Sequence, residues 1–204
     1  MEFAIFDEQY RCRTKDYFWF QETRQAIQTI VDKGMAVDDI ASLSDMDNFF
    51  SAVSKGRAKE TAQGVIRRLK VANDEFFRFF IEQSIEQQKL LVMVLIMVED
   101  RTAFEFMNEV FKEKLILGDL TLSDGNVIGF IHSIQAKDTK AAEWSDGSVK
   151  KLRTCLKGFL RESGLAVSEG RNLKIVRPIL DQRFTDFLYH EDLDVITKIF
   201  AGER

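Results

Sequence analysis

Residues that break helices are scarce in this sequence. It contains one proline and 11 glycines among 204 residues. Because proline and glycine most often interrupt a helix, their scarcity predicts a mainly helical chain. The length suits one large domain or two small ones with a real hydrophobic core. We place a loose boundary near residue 120, which would separate a helical bundle at 1–120 from a second part at 121–204.

Apolar residues recur at a spacing of three and four through the first part, which predicts a succession of amphipathic helices. One helix is expected over Lys15–Lys33, with Gly34 as its stop, and a separate one over Asp45–Val53. The longest apolar run, Leu90–Val98, has nine residues. It is too short for a membrane span, which needs about 20 residues, and it predicts a helix buried on all sides.

The second part differs from the first in its sequence pattern. A helix begins at Ser123, and another over Ser148–Ser163 ends at Gly164. Two short β-prone runs, LAVSE and NLKIV, follow and predict a hairpin with a Gly-Arg tip. Pro178 is expected in the first turn of a further helix, and a last helix covers about Glu191–Phe200. The predicted fold class is mainly α: a helical bundle, then a winged-helix-like part with a short β-hairpin and closing C-terminal helices.

Positive charge is concentrated in the segment from Ser148 to Arg177. The segment has eight basic and two acidic residues, a local charge of +6, whereas the whole chain carries −4. On the Ser148–Ser163 helix, four basic residues share a face away from the apolar one, and we expect them to be exposed. The hairpin and the residues after it add three. The candidate DNA contacts are Lys150, Lys151, Arg153, Lys157, Arg161, Arg171, Lys174 and Arg177.

One alternative to DNA binding is that these basic residues form only a solvated helix face beside an ordinary hairpin. A further alternative is a winged helix that binds protein. A second basic cluster, KGRAKETAQGVIRRLK, has a local charge of +5. It adds five candidate DNA contacts: Lys55, Arg57, Lys59, Arg67 and Arg68. For this cluster, a solvated face and a nucleic-acid contact are about equally favoured. Two separated basic patches are typical of a protein that grips the phosphate backbone along a length of duplex.

Signals for catalysis and for metal or cofactor binding are absent from the sequence. The two histidines lack a metal-binding spacing: His132 lies among apolar residues, which predicts a structural role, and His190 lies near a helix end. No phosphate loop or G-x-S-x-G motif is present. Cys12 and Cys155 are far apart, which predicts two reduced thiols in a cytosolic protein. The first 13 residues lack the pattern of a signal peptide. We therefore predict a non-enzyme without cofactor or metal.

The order of these features resembles a known family. An aromatic-rich first helix is followed by SKGRAKET and IRRLK, then by an apolar central helix. The segment WSDGSVKKLRTCLKGFLRESGL, Trp144–Leu165, precedes a short hairpin and a late proline. This resembles the BrxA family, a small component of bacterial BREX (bacteriophage exclusion) systems. The likeness runs over nearly the whole chain, and Trp144–Leu165 is its most specific part.

The resemblance implies a cytoplasmic, mainly helical protein whose N-terminal part is similar to the RNA-binding antitermination factor NusB. It also implies a non-catalytic, DNA-binding role in phage defence, with double-stranded DNA and other BREX proteins as partners and no membrane. Two alternatives stay open: a protein–protein adaptor in the same system, and a NusB-like RNA-binding or transcription factor. The candidate contact residues rest on charge and spacing, since the family supplies no motif for them.

Overall fold

The computed structural model describes residues 9–47 and 49–204. Their contacts divide the chain into two compact units. We call Trp19–Leu95 the helical unit, and the described residues up to Phe18 together with Ile96–Arg204 the mixed unit. This division differs from the predicted boundary near residue 120, because the helices that follow Ile96 pack with the C-terminal elements. Most of the residues searched for a signal peptide lie outside the described ranges.

The helical unit contains α1 (Phe20–Lys33), α2 (Asp39–Asp47), α3 (Lys55–Leu69), α4 (Asp74–Ile81) and the first part of α5 (Ile85–Glu99). Helix α1 packs on α3 and α4, and α2 packs on α3. The apolar run of α5 is buried along its whole length, as predicted. All four phenylalanines of α4 are buried as well, namely Phe76, Phe77, Phe79 and Phe80.

The junction of α1, α3 and Trp19 depends on a glycine. Trp19 caps α1 in the left-handed conformation, with φ 49° and ψ 49°, which is unusual for a bulky residue. Its ring occupies the space where a side chain at Gly64 would begin. The guanidinium of Arg68 lies 5.2 Å from the centroid of the same ring, within cation–π range. Gly64 and Arg68 therefore hold Trp19 from α3.

Two predicted helices differ from the structure in this unit. The helix predicted from Lys15 begins only at Phe20, because the left-handed backbone of Trp19 cannot continue a helix. The separate helix predicted over Asp45–Val53 is wrong: α2 continues to Asp47, and Phe49 and Phe50 lie in a turn. The side-chain amide of Gln25 on α1 donates to the Phe49 carbonyl oxygen at 2.8 Å and stabilises that turn.

The mixed unit contains the remaining helices and one sheet. Its elements are α6 (Arg101–Phe106), a π-helical turn (Met107–Phe111), α7 (Lys112–Leu117), β1 (Thr121–Leu122), α8 (Asp124–Lys137), a 3-10 turn (Ala141–Glu143), α9 (Asp146–Glu162), β2 (Ala166–Glu169), β3 (Asn172–Ile175), α10 (Gln182–His190) and α11 (Asp194–Ala201). Strands β2 and β3 form the predicted hairpin. Strand β1, which the sequence did not predict, pairs antiparallel with the other side of β3 and gives the order β1-β3-β2. The mainly α class with a short hairpin is confirmed.

The helix predicted to begin near Pro178 begins instead at Gln182, so this prediction was wrong. Asp181 caps α10 by accepting a hydrogen bond from the Phe184 backbone N–H at 2.8 Å. The preceding residues are irregular, and the guanidinium of Arg177 donates to the backbone carbonyl oxygen of Ala201. The cap by Asp181 and the hydrogen bond from Arg177 to the end of α11 thus outweigh the preference of proline for the first turn of a helix.

A cluster of charged residues ties the described N-terminal segment, residues 9–18, to the start of α6. Arg13 forms a two-pronged ion pair with Glu99, and its Nε lies 3.5 Å from Asp100 Oδ2. A third carboxylate, Asp16, lies 3.8 Å from Arg13 Nη1. All three carboxylate side chains are buried. Burial raises the pKa of Asp100 to about 6, and the nearby Arg13 opposes that rise. Arg13 is therefore the cation that compensates the negative charge of this buried cluster.

Candidate nucleic-acid interface

Helices α8 and α9 are joined by a linker held in one shape. Ser123 and Asn126 form a reciprocal capping box at the start of α8, in agreement with the predicted start. Near the other end of α8, the side-chain amide of Gln135 donates to the carbonyl oxygens of Ala141 and Trp144, each at 3.2 Å. This amide is a contact that sequence reasoning missed. It fixes the short 3-10 turn and with it the direction in which α9 leaves α8.

Helix α9 separates an apolar face from a polar one, as its spacing predicts. It begins after Ser145, which accepts a hydrogen bond from the Ser148 backbone N–H at 3.2 Å. The buried face consists of Val149, Leu152, Cys155, Leu156, Phe159 and Leu160. Gly164, with φ 82°, lets the chain turn from the helix into the hairpin, which is the predicted stop. The basic residues of α9 are left on the other faces.

Six of the predicted contact residues in this region are exposed, one of which is Arg177 after β3. On α9 these are Lys150, Lys151 and Arg161. In the hairpin they are Arg171, at a tip where Gly170 adopts φ 60°, and Lys174. Lys174 lies opposite Val167 on β2 and Thr121 on β1, all three exposed, so it stands at the centre of the solvent face of the sheet.

Arg153 and Lys157 depart from prediction, because both are bound to an acid. Arg153 Nη1 lies 3.0 Å from Asp124 Oδ2, and Lys157 Nζ lies 2.6 Å from Asp124 Oδ1. Lys157 Nζ also lies 3.4 Å from the carbonyl oxygen of Arg171 at the hairpin tip. Only 27% of the Arg153 side chain and 13% of the Lys157 side chain are exposed. The expectation that both residues are exposed was therefore wrong.

The reason is a neighbouring helix that helical spacing does not reveal. Asp124 is the first residue of α8, where a negative charge is favourable because it lies at a helix N-terminus. The hydrogen bond from Lys157 lowers the pKa of Asp124, with smaller contributions from the charges of Lys157 and Arg153. The sequence indicates a helix start at this position but not the register that sets α8 against α9.

Arg177 is also engaged within the protein. Its guanidinium donates to the carbonyl oxygen of Ala201 at the end of α11, and Nη2 lies 3.5 Å from the carbonyl oxygen of Leu115 on α7. Cations are favourable at the C-terminal ends of helices, where unpaired carbonyl groups concentrate. The structure thus places Arg177 between two helix ends, where it joins them to the segment after β3.

The second basic cluster, on α3, is divided by the fold. Lys55, Arg57 and Lys59 are exposed in its first turns. Arg67 is half-buried, and Arg68 is fully buried against the Trp19 ring. The prediction of Arg68 as a DNA contact is contradicted by this burial. Adjacent arginines on a helix point in different directions, and here the second of them faces the core.

Both histidines are exposed, so the prediction of His132 as a structural residue among apolar neighbours was wrong. His132 occupies the solvent side of α8, whose buried residues are Val127, Phe130, Ile131 and Ile134.

Across the described residues, no three histidine, cysteine or carboxylate side chains are grouped as a metal ion requires. Within the same ranges, no helix combines the length and apolar character needed to cross a membrane.

Comparison with known proteins identifies the family. A model of the BrxA family matches residues 9–192. The chain belongs to the BrxA family. A BREX protein BrxA from Bacillus cereus (strain H3081.97) is 34% identical over 177 residues, which cover 87% of this chain and 88% of that protein. BrxA is a component of BREX phage defence. The resemblance seen in the sequence is therefore confirmed at the level of the family.

The fold is also found in a solved structure. The crystal structure of an uncharacterized protein from Magnetospirillum magneticum superposes with a TM-score of 0.77. The match covers 96% of this chain and 100% of that one at 13% sequence identity. At such low identity the likeness concerns the fold alone. It shows that this arrangement of helices and a small sheet occurs in a second protein with little sequence in common.

Proposed function

We propose that this chain is a non-catalytic, DNA-binding component of BREX phage defence that acts in the cytoplasm together with other BREX proteins. The proposed contact surface consists of α9 and the β2–β3 hairpin. The observation that carries the proposal is the set of exposed cations on these two elements, namely Lys150, Lys151, Arg161, Arg171 and Lys174. We call this set the basic face.

The order of elements supports this proposal. A helix, a short strand, two helices and a two-stranded hairpin follow one another, with β1 on the outer side of β3. This order corresponds to a winged helix, in which the helix before the hairpin enters the major groove and the hairpin contacts the flanking backbone. Lys157 joins α9 to the carbonyl oxygen of Arg171, so the hairpin tip lies beside α9. Helix and hairpin can then contact one duplex together.

Duplex DNA is favoured over duplex RNA by groove shape. The major groove of B-form DNA admits a helix such as α9, whereas that of A-form RNA is too narrow and deep. RNA nevertheless remains the competing ligand, because the resemblance to NusB implies RNA binding by the N-terminal part. The exposed residues Lys55, Arg57 and Lys59 on α3 would serve as its contacts. Competition between matched DNA and RNA duplexes decides between them, and a clear preference for RNA would contradict our choice.

The test of the proposal is a triple variant, Lys150→Gln, Lys151→Gln and Arg161→Gln. If the basic face neutralises about five phosphates, the logarithm of affinity should fall with the logarithm of salt concentration at a slope of roughly −4 to −5. The variant should flatten that slope by about 2 to 3 and weaken binding on the order of a hundredfold near physiological salt. Fluorescence anisotropy of a labelled duplex across a salt series measures both quantities.

The matched control removes three positive charges from the same unit outside α9 and the hairpin, by Lys137→Gln, Lys198→Gln and Arg204→Gln. These residues are exposed. The control should bind with nearly the slope of the unaltered protein, because these residues belong to neither element of the proposed contact surface. Equal losses in both variants would mean that net charge alone attracts DNA. If the unaltered protein does not bind DNA at low salt, the adaptor alternative is favoured.

A further inference from the structure

Asp124 lies where α8, α9 and the hairpin tip meet. Its two carboxylate oxygens are used separately: Oδ2 faces Arg153 at 3.0 Å, and Oδ1 faces Lys157 at 2.6 Å. Both cations come from α9, the helix that carries most of the basic face. One anion with two oxygens thus joins two cations, which is the arrangement in which a backbone phosphate would meet them. Because its pKa is lowered, Asp124 is ionised at neutral pH.

The exposure of the three side chains indicates which of them can move. The Asp124 side chain is 46% exposed, whereas those of Arg153 and Lys157 are 27% and 13% exposed. Arg153 and Lys157 are therefore less exposed than the carboxylate with which they pair. The Asp124 carboxylate is the most exposed group of the three, so it can rotate into water while the two cations keep their positions. A stronger anion that reaches the same two cations can thus replace it.

We propose that Asp124 is an internal competitor of DNA phosphate, which occupies Arg153 and Lys157 in the free protein and is displaced when DNA binds. The inference rests on the proposed contact surface of α9 and the hairpin. It adds Arg153 and Lys157 to that surface conditionally, because they become available only after the carboxylate has left. A polyanion that does not engage the basic face gains too little to displace Asp124, so the competitor lowers affinity for weakly bound anions.

The experiment measures DNA affinity and its salt dependence for Asp124→Asn. The amide keeps the shape of the side chain and removes its charge. We expect binding to tighten on the order of tenfold at low salt, because DNA no longer has to displace a competing anion, while the slope changes by less than about 1, since the same phosphates are neutralised in both complexes. Thermal unfolding should show both proteins folded. Asp124→Ser, which also removes the charge, provides a second variant with the same expected direction.

The matched control is Asp119→Asn. Asp119 is an exposed acid of the same unit, and its Oδ2 lies 2.7 Å from Lys114 Nζ, so the substitution also removes one charge from an aspartate–lysine pair. Lys114 belongs to α7 and lies outside the basic face. A gain in affinity in the Asp124 variants with little change in the control supports the inference. Equal gains in both would overturn it, because net charge would then explain the effect.

A double-mutant cycle separates competition from simple repulsion of phosphate. In a background of Arg153→Gln and Lys157→Gln, an internal competitor has nothing to occupy, so Asp124→Asn should no longer tighten binding. A gain that persists undiminished in this background would mean that Asp124 only repels DNA, and the inference would be wrong. If the unaltered protein binds DNA but Asp124→Asn leaves affinity unchanged or weakens binding, this inference alone fails. If the unaltered protein does not bind DNA, the proposed function is wrong, and this inference, which depends on it, is wrong as well.

Discussion

Replacement of Arg13 by methionine should lower the free energy of unfolding of the mixed unit by about 3 to 5 kcal/mol, the usual cost of removing one partner from a buried charge cluster. Arg13 is the shared partner of Glu99, Asp100 and Asp16, and all three carboxylates are buried. Methionine fills much of the same volume, so the loss reports the uncompensated charges more than a cavity. Urea titration followed by circular dichroism measures it.

The effect of Arg13→Met should also depend on pH. The folded-state pKa of Asp100 is already about 6, above its ordinary value of 3.8, and loss of Arg13 removes a charge that holds it down. When a folded-state pKa is raised, the favourable contribution of the protonated group is present at low pH and is lost as pH rises through that pKa. The variant should therefore be most destabilised at pH 8 and should partly recover toward pH 5.

Arg11→Met is the matched control for this prediction. Arg11 belongs to the same segment, but its side chain is 48% exposed and its Nη1 lies 4.0 Å from Glu99 Oε1. A half-exposed arginine at that distance from its partner contributes about 0–1 kcal/mol, so the control should change stability little. Similar losses in the Arg11 and Arg13 variants, or a loss that does not vary with pH, would contradict the role assigned to Arg13.

Gly64→Ala should lower the free energy of unfolding of the helical unit by about 3 kcal/mol, although alanine favours a helix over glycine by about 1 kcal/mol. The added methyl group would overlap the Trp19 ring, which Arg68 confines from the same helix. Trp19 has little freedom to retreat, because its backbone is held in the left-handed conformation at the start of α1. Thermal and urea unfolding report the change.

Gly56→Ala provides the comparison on the same helix. No atom lies within 4 Å of a side chain added at Gly56, so this variant should gain a few tenths to about 1 kcal/mol from helix propensity. A double variant of Gly64→Ala with Trp19→Leu should recover part of the lost stability, because the smaller side chain yields the space. The steric account would be wrong if Gly64→Ala were as harmless as Gly56→Ala.

Local sequence determined much of the fold. The start of α8 after Ser123 and the stop of α9 at Gly164 were predicted, whereas α9 begins at Asp146, two residues before the predicted Ser148. Caps and stops depend on residues within one turn of each other, so a linear reading captures them. The apolar face of α9 was predictable for the same reason, since it depends only on the helical period. The likeness to the BrxA family could also be recognised from the sequence alone.

Only the tertiary structure decided which basic residues face the solvent. Spacing placed Arg153 and Lys157 on an exposed face, but Asp124 pairs with them from α8. Composition placed Arg68 in a basic cluster, but the Trp19 ring lies against it within the unit. Strand β1 has two residues, too few to show a pattern, and it exists because β3 offers it a partner. Each outcome depends on the register between elements distant in sequence, which is set by how whole faces pack and not by the spacing within any one of them.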